Sequence, residues 1–379
     1  MDRGEFIGFI DLSMIHPLTR MVLTSSRFDP MATKNPVAKK SAVCPAARPA
    51  RMPSVIKPML ATLVDEPFSD VDWIFETKWD GYRSVCFLKN GQARFVSRNQ
   101  IEMTPQYPEL ANIAKQVRAK EAILDGEICA LDREGIPRFQ MLQRKGASQR
   151  PPIVYFVFDL LYVDGHDLTA CTVVERKAKL AEIILPSNVI KFSDHIEGDG
   201  EAFFREVAKF RLEGMMAKRA GSKYVQKRSS DWLKIKTVMR QEVVVGGYTQ
   251  PRGTRSFFGS LVCGLYRDDQ LHYVAHIGGG FNEKLLASIH KLMQPLKSDQ
   301  SPFLSVPKTN EPVQWLKPRL VAEVKFSEWT ADTRLRHPVF VGLREDKDPK
   351  DCRFEFESDT DQVVKKSTSA RKRIRRSTV

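Results

Sequence analysis

The strongest constraint on the fold is a long apolar run, IVYFVFDLLYV at 153–163, which a single aspartate interrupts. A run rich in β-branched and aromatic residues and ended by Asp164-Gly165 is typical of a buried β-strand. It is too short to cross a membrane, which takes about 18 apolar residues, and the chain contains no run of that length. The chain is therefore expected to fold around a buried sheet.

Segments before residue 237 alternate between strand-like and helix-like patterns. YRSVCFL (82–88) and QARFVSR (92–98) flank Asn90-Gly91, a dipeptide favoured in tight hairpin turns. A second buried strand is predicted over 121–132. Residues 55–237 are expected to form a mixed α and β domain. Helical periodicity predicts helices over 107–120, 172–184 and 201–213.

The pattern changes after Lys236 to short β-type runs separated by glycine-rich or polar breaks. One helix-like segment, 282–296, interrupts these runs. About five strands and one helix suit a small barrel, and an OB-fold is the leading candidate. This second domain is expected over 238–349. Its strands are predicted at 242–249, 258–267, 271–279 and 319–330.

The two ends of the chain carry most of the formal net charge of +14. Residues 365–379 contain seven basic residues and no acidic ones. A flexible basic extension is predicted over 1–54, and a disordered basic tail over 350–379. Basic arms of this kind bind polyanions such as nucleic acid in a salt-dependent way, although a solubilising role is the alternative.

The cysteines are far apart in the sequence and form no CxxC pair, which argues against a zinc ribbon and against a disulfide framework. This usage predicts a cytoplasmic protein, nuclear only if the source is eukaryotic. A monomer with no membrane association is expected. The six cysteines are Cys44, Cys86, Cys129, Cys171, Cys263 and Cys352.

The segment FETKWDGYRS (75–84) places Lys78 two residues before Asp80-Gly81, at the end of an apolar run. A lysine acts as a nucleophile only when it is neutral. Burial beside Trp73-Ile74-Phe75 and the nearby cation Arg83 are expected to lower the pKa of Lys78. A KxDG match by itself is common, and a solvated turn lysine is the alternative.

Further short motifs follow Lys78 in order. A nucleophilic lysine, two separated glutamates and a late K-x-K pair are what nucleotidyl transfer to a lysine requires. The carboxylates can hold Mg²⁺, and the cations can neutralise the charge that develops on a triphosphate. The motifs are SRN (97–99), LDGE (124–127), VFDL (157–160), EGMMAKR (213–219), WLKIK (232–236) and GLREDK (342–347).

This order of motifs resembles the covalent nucleotidyltransferase superfamily of ATP-dependent DNA ligases and mRNA capping enzymes. The phrases KPMLATLVDEPF (57–68), EGMMAKRAGSKY (213–224) and RHPVFVGLREDK (336–347) resemble the ligase module of bacterial multifunctional end-joining DNA ligases. The resemblance covers roughly residues 55–349. It implies an α+β fold, with a mixed, ATP-grasp-like adenylation domain followed by an OB-fold β-barrel. The polymerase and phosphoesterase modules of that branch are not expected here.

The resemblance also implies roles for residues of the first domain. Lys78 would attack the α-phosphate of ATP and become lysyl-AMP. Glu76 would recognise the adenine edge, and Phe158 would stack on the adenine. Arg83 and Arg98 would contact the sugar and phosphates of AMP or of the nicked strand.

Two carboxylates and two lysines complete this implied site. Glu127 would contact the ribose and, with Glu213, hold Mg²⁺ or Mn²⁺. Lys234 and Lys236 share one face of a strand, as two lysines that grip the α-phosphate should. Asp125 is expected to order its turn. Lys218 has no comparably firm role.

Residues of the second domain match a motif that closes over ATP and orients the pyrophosphate; they are Arg344, Asp346 and Lys347. The chain departs from the family at Ala275 and His276, where a glycine and an arginine are usual. A contact with the DNA backbone is expected to be altered there, without effect on adenylation.

The resemblance predicts sealing of nicked double-stranded DNA with ATP, in end joining beside a Ku-type bridging partner. NAD⁺ is not expected as the donor, because the zinc module and nicotinamide domain of NAD⁺-dependent ligases are not visible. An RNA ligase, a GTP-dependent capping guanylyltransferase and a catalytically idle nick-binding module are the alternatives. GLREDK and FDLLYVDG argue against capping, and the complete set of catalytic residues argues against an idle module.

Overall fold

A computed structural model describes residues 44–142 and 150–365. Three sheets carry the fold. The helices are α1 (Phe139–Leu142), α2 (Val173–Ile183), α3 (Gly200–Lys209) and α4 (Glu283–Met293). The strands are β1 (Arg48–Pro49), β2 (Leu60–Leu63), β3 (Asp70–Thr77), β4 (Tyr82–Lys89), β5 (Gln92–Ser97), β6 (Glu121–Ala130), β7 (Ile153–Val163), β8 (His166–Asp167), β9 (Ile190–Phe192), β10 (Ile196–Gly198), β11 (Gly214–Arg219), β12 (Arg228–Lys236), β13 (Arg240–Thr249), β14 (Leu261–Arg267), β15 (Gln270–Ile277), β16 (Lys297–Ser298), β17 (Val313–Lys325) and β18 (Val339–Leu343).

The apolar run at 153–163 forms β7, the central buried strand of the largest sheet. This sheet has the order β1-β8-β7-β6-β4-β5, with β9 paired to β7. Every residue of β7 is buried, as predicted. The lone aspartate of the run, Asp159, accepts hydrogen bonds of 2.7 Å and 2.8 Å from Nε and Nη2 of Arg176 on α2. This bidentate pair explains how a charge is accommodated inside an apolar strand.

The second sheet of the first domain has the order β10-β3-β11-β12-β2. Its pairings are antiparallel except for β12 with β2, which run parallel. Helix α3 packs on this sheet, and its buried Phe203 and Val207 join a core that contains Trp73, Phe75 and Leu233. The two sheets together confirm the mixed α and β character predicted for this part of the chain.

The helix predictions were confirmed at α2 and α3 and wrong at 107–120. Helix α2 begins after Thr172, whose side chain and that of Glu175 form a capping box. Over 107–120 the chain forms short 3₁₀ turns at Pro108–Leu110 and Ile113–Gln116. The side chains of Leu110 and Ile113 are buried three residues apart, a spacing that fits a 3₁₀ turn. The second turn ends at Gln116, and Val117, which follows it, is extended.

The second domain is a six-stranded sheet in the order β15-β14-β13-β17-β16, with β18 paired to β17. The predicted strands and the predicted helix, α4, are present, whereas β18 was not predicted. The OB-fold prediction is confirmed for this domain, although no continuous ladder joins the sheet edges in the described ranges. A single bridge from Gly279 to Val339 links them instead. The domain is OB-fold-like but open.

Residues 44–54 differ from the flexible extension predicted for 1–54. Arg48 and Pro49 form β1, which pairs with β8. Cys44 is joined to Cys171 by a disulfide, with Cα atoms 6.4 Å apart, although the cysteine spacing predicted none. The pairing of β1 with β8 depends on backbone groups, and the Cys44–Cys171 link is a covalent bond. The alanine- and proline-rich composition of the segment reveals neither contact. Residues 1–43 lie outside the described ranges.

Residues 350–365 likewise differ from the disordered tail predicted for 350–379. Cys352 is buried, and its carbonyl accepts a 2.8 Å hydrogen bond from the Tyr266 N–H. Thr360 is also buried, against the first domain. The basic residues at 366–379 lie outside the described ranges. In the part of the chain that is described, no helix is both long enough and apolar enough to traverse a bilayer.

Candidate active site

A cleft that is partly open to solvent lies where the two domains meet. Residues of β3, β4, β7 and β12 line one side, and residues from β13 to the segment after β18 line the other. Every residue predicted for the site lines this cleft, while the individual roles stay predictions. The set comprises Glu76, Lys78, Asp80, Gly81, Arg83, Arg98, Glu127, Phe158, Glu213, Lys234, Lys236, Arg344, Asp346 and Lys347.

Lys78 is positioned by the pairing of β3 with β11. Thr77 lies opposite Met215, and the Lys78 N–H donates a 2.9 Å hydrogen bond to the carbonyl of Gly214. This register brings the ammonium of Lys78 into an ion pair with Glu213. The chain then turns tightly at Gly81, where a Cβ would collide with the Ile128 carbonyl oxygen on β6. The glycine of the KxDG motif is therefore needed for packing.

The electrostatics of Lys78 are the reverse of the sequence prediction. Burial acts to lower its pKa, but the Glu213 carboxylate, together with Glu127 and Asp80, raises it above the ordinary value. Arg83, which was expected to lower the pKa, is instead held by another carboxylate, Asp125. In this state Lys78 is an ammonium, so it must lose a proton before it can act as a nucleophile.

Burial opposes the charged form of two carboxylates near Lys78, Glu127 and Asp80. Burial raises the pKa of Glu127 to about 8, against the opposing effects of Lys78 and Arg83. Burial and the Glu213 charge raise the pKa of Asp80 to about 6. Buried carboxylate oxygens that disfavour one another's charge are suitable donors for a hard divalent cation. The Mg²⁺ site at Glu127 and Glu213 stays a prediction.

Replacing Glu127 with glutamine is expected to change how stability depends on pH. The folded pKa of Glu127 is about 8, above the ordinary 4.5, so the folded state binds the proton more tightly. The contribution of Glu127 to stability is therefore highest below pH 4.5 and falls as the pH rises towards 8. Without Mg²⁺ at pH 8, Glu127→Gln should raise Tm by about 2–4 °C. Thermal unfolding at pH 5 and pH 8 measures this difference.

Addition of Mg²⁺ at pH 8 provides the control for this change. Wild-type protein should gain stability, because the cation offsets the buried carboxylate charge. The Glu127→Gln variant should gain much less. An equal gain in both proteins would contradict a cation site that uses Glu127.

The side of the cleft predicted to take the base is built around Phe158 of β7. The guanidinium of Arg83 lies 4.7 Å from the centre of the Phe158 ring, and Trp232 packs against its edge. Arg83 donates two 2.7 Å hydrogen bonds to Asp125, which also accepts a 2.7 Å bond from Tyr224. Asp125 thus orients Arg83, which is a more specific task than the turn-ordering role predicted for it.

Glu76 forms a buried ion-pair network that the sequence did not predict. Its carboxylate lies 3.1 Å from Nζ of Lys177 on α2 and 2.8 Å from Nζ of Lys218 on β11. Burial acts to raise the pKa of Glu76, but the two lysines lower it. Burial lowers the pKa of Lys218 to about 8. Lys177 also donates a 2.6 Å bond to the Ser193 carbonyl.

The two lysines predicted for the α-phosphate lie side by side on β12, with Lys234 opposite Met216 and Lys236 opposite Gly214. Lys234 Nζ lies 2.6 Å from one carboxylate oxygen of Glu355, and Lys236 Nζ lies 3.8 Å from the other. Burial, only partly offset by Glu355, lowers the pKa of Lys234 to about 8. Glu355 belongs to the segment that was predicted to be disordered.

The second domain presents paired cations to the cleft. Arg344 donates two 2.8 Å hydrogen bonds to Asp346 and one of 2.7 Å to Glu323. Lys347 Nζ lies 2.9 Å from Glu242. Asp346 therefore orients Arg344 within its own motif, which gives a physical reason for an arginine followed two residues later by an aspartate.

Arg240 joins the two domains directly beside Lys78. Its guanidinium lies 2.8 Å from Asp80 of the first domain and 3.0 Å from Glu323 of the second. The Arg344 guanidinium also lies over the Phe139 ring of α1, at 4.7 Å. Charged contacts thus hold the two domains together beside the cleft. Arg98, half-buried after β5, lines the cleft as well.

Several cleft residues were missed by the sequence analysis. Arg240 and Gln241 were assigned to the domain boundary, and Lys177 sits in a helix pattern that offers no sign of burial. The sequence offered no periodic signal for Glu242, because three consecutive valines follow it in EVVVGGYT. The missed residues that line the cleft include Arg228, Trp232, Arg240, Gln241, Glu242, Glu323 and Glu355, and Lys177 was missed as a partner of Glu76.

His276 of β15 stands at the position where the family usually has an arginine. Its Nδ1 and the Tyr273 hydroxyl oxygen lie 2.5 Å apart in a hydrogen bond. Burial lowers the pKa of His276. A neutral, hydrogen-bonded histidine provides no permanent positive charge, unlike the arginine usual at this position.

Two family models match the chain in the order of its domains. The model described as "ATP dependent DNA ligase domain" matches residues 58–236, and that described as "ATP dependent DNA ligase C terminal region" matches residues 254–347. The first contains Lys78 and the Lys234–Lys236 pair, and the second contains Arg344 and Lys347. The matched ranges therefore include the residues that face one another across the cleft.

Curated proteins show the same relationship. The chain is 38% identical over 323 residues to the multifunctional non-homologous end joining protein LigD of Pseudomonas aeruginosa, a match that covers 81% of this chain and 38% of that protein. For LigD of Mycolicibacterium smegmatis the identity is 38% over 308 residues, which covers 80% of this chain and 40% of that protein. The chain thus spans well under half the length of these relatives.

A solved structure supports the fold as well as the family. The chain resembles a mycobacterial DNA ligase D complexed with ATP and MES, with a TM-score of 0.59 and 34% sequence identity. The match covers 78% of this chain and 97% of that one. Since both domains match in order and their motif residues line one cleft, the chain belongs to the family of ATP-dependent DNA ligases.

Proposed function

We propose that this chain seals nicks in double-stranded DNA that carry a 5′-phosphate and a 3′-hydroxyl, through a lysyl-AMP intermediate and an adenylated DNA end. The observation that carries the proposal is the cleft arrangement. Lys78, paired with Glu213, lines the same cleft as the Lys234–Lys236 pair and as Arg344 and Lys347 of the second domain. A nucleophile, phosphate-binding cations and a closing domain thus meet at one point.

The first step is adenylation of Lys78. Its neutral amine attacks the α-phosphorus of ATP, a P–N bond forms, and the bond from the α-phosphorus to the bridging oxygen breaks. The electron pair leaves with pyrophosphate, and the lysine loses its proton. Lys234 and Lys236 bind the non-bridging oxygens, while Arg344 and Lys347 neutralise the charge on the leaving group.

Release of the Lys78 proton requires that the Glu213 charge be drawn away from the lysine. Glu127 and Glu213 would hold a divalent cation there, and it would supply positive charge to offset the Glu213 carboxylate and the phosphates. Asp80 keeps its contact with Arg240 and so holds the second domain against the cleft.

The second and third steps take place on DNA. AMP passes from Lys78 to the 5′-phosphate of the nick, and the 3′-hydroxyl then attacks that phosphate and displaces AMP. In this proposal Arg83 and Arg98 contact the sugar and phosphates during these transfers. By analogy with the LigD relatives, we place the reaction in end joining, beside a Ku-type end-bridging protein, in a bacterial cytoplasm.

A sealing assay on a nicked duplex with a labelled 5′-phosphate tests the proposal. Joined strand should form with Mg²⁺ and ATP, and a 5′-hydroxyl nick should stay open. Covalent transfer from GTP would move the assignment to capping chemistry. Preferential joining of RNA strands would indicate an RNA ligase, and nick binding without joining would indicate an idle module.

Replacing Arg344 with alanine should separate the first step from the third. Arg344 is expected to act on the pyrophosphate leaving group, which takes no part in sealing a nick that is already adenylated. Self-adenylation should fall about 100-fold, and sealing of a pre-adenylated nick should change little. Rapid-quench assays on the two substrates measure both rates. Equal losses in both steps would indicate a general structural role.

A further inference from the structure

The described segment after the second domain crosses the mouth of the cleft. We call residues 352–360 the strap. Its first part packs on the second domain, where the Phe354 and Phe356 rings lie 5.8 Å and 5.3 Å from the Trp329 ring. The backbone of Arg353 forms a β-bridge with Tyr266 of β14. The Arg353 carbonyl accepts a 3.1 Å hydrogen bond from the Gln241 side chain. The strap is thus anchored on one wall.

The last part of the strap is anchored on the opposite wall. Ser358 forms a bridge with Val64, and its N–H donates a 3.1 Å bond to the Leu63 carbonyl. The Thr360 hydroxyl donates a 2.8 Å bond to Asp65. Val64 and Asp65 directly follow β2, and β2 is paired with β12, the strand that carries Lys234 and Lys236. The strap therefore spans the cleft between the domains.

Glu355 is the strap residue that enters the cleft. Its carboxylate lies 2.6 Å from Lys234 Nζ, 3.8 Å from Lys236 Nζ and 3.5 Å from Arg228 Nη1. Its side chain is 23% exposed, whereas the neighbouring Glu357 is an exposed residue. Three cations around one carboxylate reproduce the surroundings that a phosphate group requires.

We propose that the strap is an intramolecular competitor of the nucleotide, in which Glu355 occupies the phosphate-binding lysines until ATP displaces it. This inference rests on the proposed role of Lys234 and Lys236 in binding the α-phosphate. A carboxylate and a phosphate oxygen cannot use the same ammonium protons at once. The segment is held on both walls, so it stays near the site after displacement and returns when the nucleotide leaves.

The charges on the two partners agree with this geometry. Burial acts to raise the pKa of Glu355, but Lys234 and Lys236 lower it to about 2, so the carboxylate is charged at any physiological pH. A nucleotide binds only molecules in which Glu355 has left the lysines. The apparent affinity for the nucleotide is therefore the intrinsic affinity multiplied by the fraction of such molecules. The strap therefore sets the ATP concentration at which the enzyme charges itself.

Replacing Glu355 with glutamine tests the proposal, with Glu357→Gln as the matched control. Both changes remove one negative charge from the strap, two residues apart, and only the first removes the contact with the lysines. Binding of α,β-methylene-ATP, which cannot transfer AMP, is measured by calorimetry. Glu355→Gln should tighten binding about tenfold, and Glu357→Gln should leave it within about twofold. Thermal unfolding checks that both variants are folded.

The outcomes separate the strap from the proposed function. Unchanged or weaker binding in Glu355→Gln overturns the proposal, and so does equal tightening in both variants, which would be a general charge effect. Failure of wild-type protein to gain AMP from ATP would count against the ligase function instead. The binding comparison does not depend on catalysis, so it decides the role of Glu355 in either case.

Discussion

Replacing Lys78 with alanine is expected to abolish the mass gain of one AMP when the protein is mixed with ATP and Mg²⁺. Lys78 is the cleft lysine at the end of β3, fixed by the Gly214 contact and paired with Glu213. Without its amine no P–N bond can form, so adenylation should fall at least about 1000-fold. Intact-mass analysis of the mixture measures the adduct directly.

The controls for this change distinguish charge from nucleophilicity. Lys78→Arg keeps the positive charge beside Glu213 but offers no free amine, and it should also form no adduct. Lys179→Ala, at a lysine of α2 outside the cleft, should leave the adduct unchanged. An adduct that persists in Lys78→Ala would mean that another cleft lysine, such as Lys234, is the nucleophile. A pyrophosphate chase identifies protein that was purified already adenylated.

Replacing Asp159 with alanine is expected to lower the free energy of unfolding by about 3–5 kcal/mol. Asp159 and Arg176 are both fully buried and form a bidentate pair between β7 and α2. Removing the carboxylate leaves the guanidinium charge buried without its partner, although the Cys171 carbonyl still accepts a bond from Arg176. Denaturant unfolding measures the loss.

A double substitution shows whether this cost comes from the unpaired charge. Asp159→Val combined with Arg176→Met removes both charges and leaves two apolar side chains of close to the original total volume, so most of the lost stability should return. Glu182→Ala, which removes a surface carboxylate at the end of the same helix, should produce no measurable change. A double variant as unstable as Asp159→Ala would place the effect in packing rather than charge.

The residues of the cleft were largely predictable, because each motif carries local information. Lys78 is followed by a glycine that packing requires, and Lys234 and Lys236 alternate on a strand so that they share a face. The buried strand at 153–163 was predictable for a similar reason, since its apolar character does not depend on its neighbours. The roles of these residues in catalysis stay predictions.

Predictions failed where the outcome depended on distant parts of the chain. The pKa of Lys78 is raised because β11 brings Glu213 to it from 135 residues further along the sequence. Residues 44–54 are ordered by pairing with β8, and their own composition carries no sign of this contact.

The sequence alone determined the order of the chemical groups: a lysine in KxDG, separated glutamates, a K-x-K pair and a closing R-x-D-K motif. It also determined the two-domain pattern, through the change of hydrophobic periodicity after Lys236. Only the tertiary structure decided which carboxylate neutralises which cation, including Glu355 on Lys234 and Asp125 on Arg83. The reason is that periodicity is a local property, whereas the partner of a buried charge is chosen by the fold that brings it within a few ångströms.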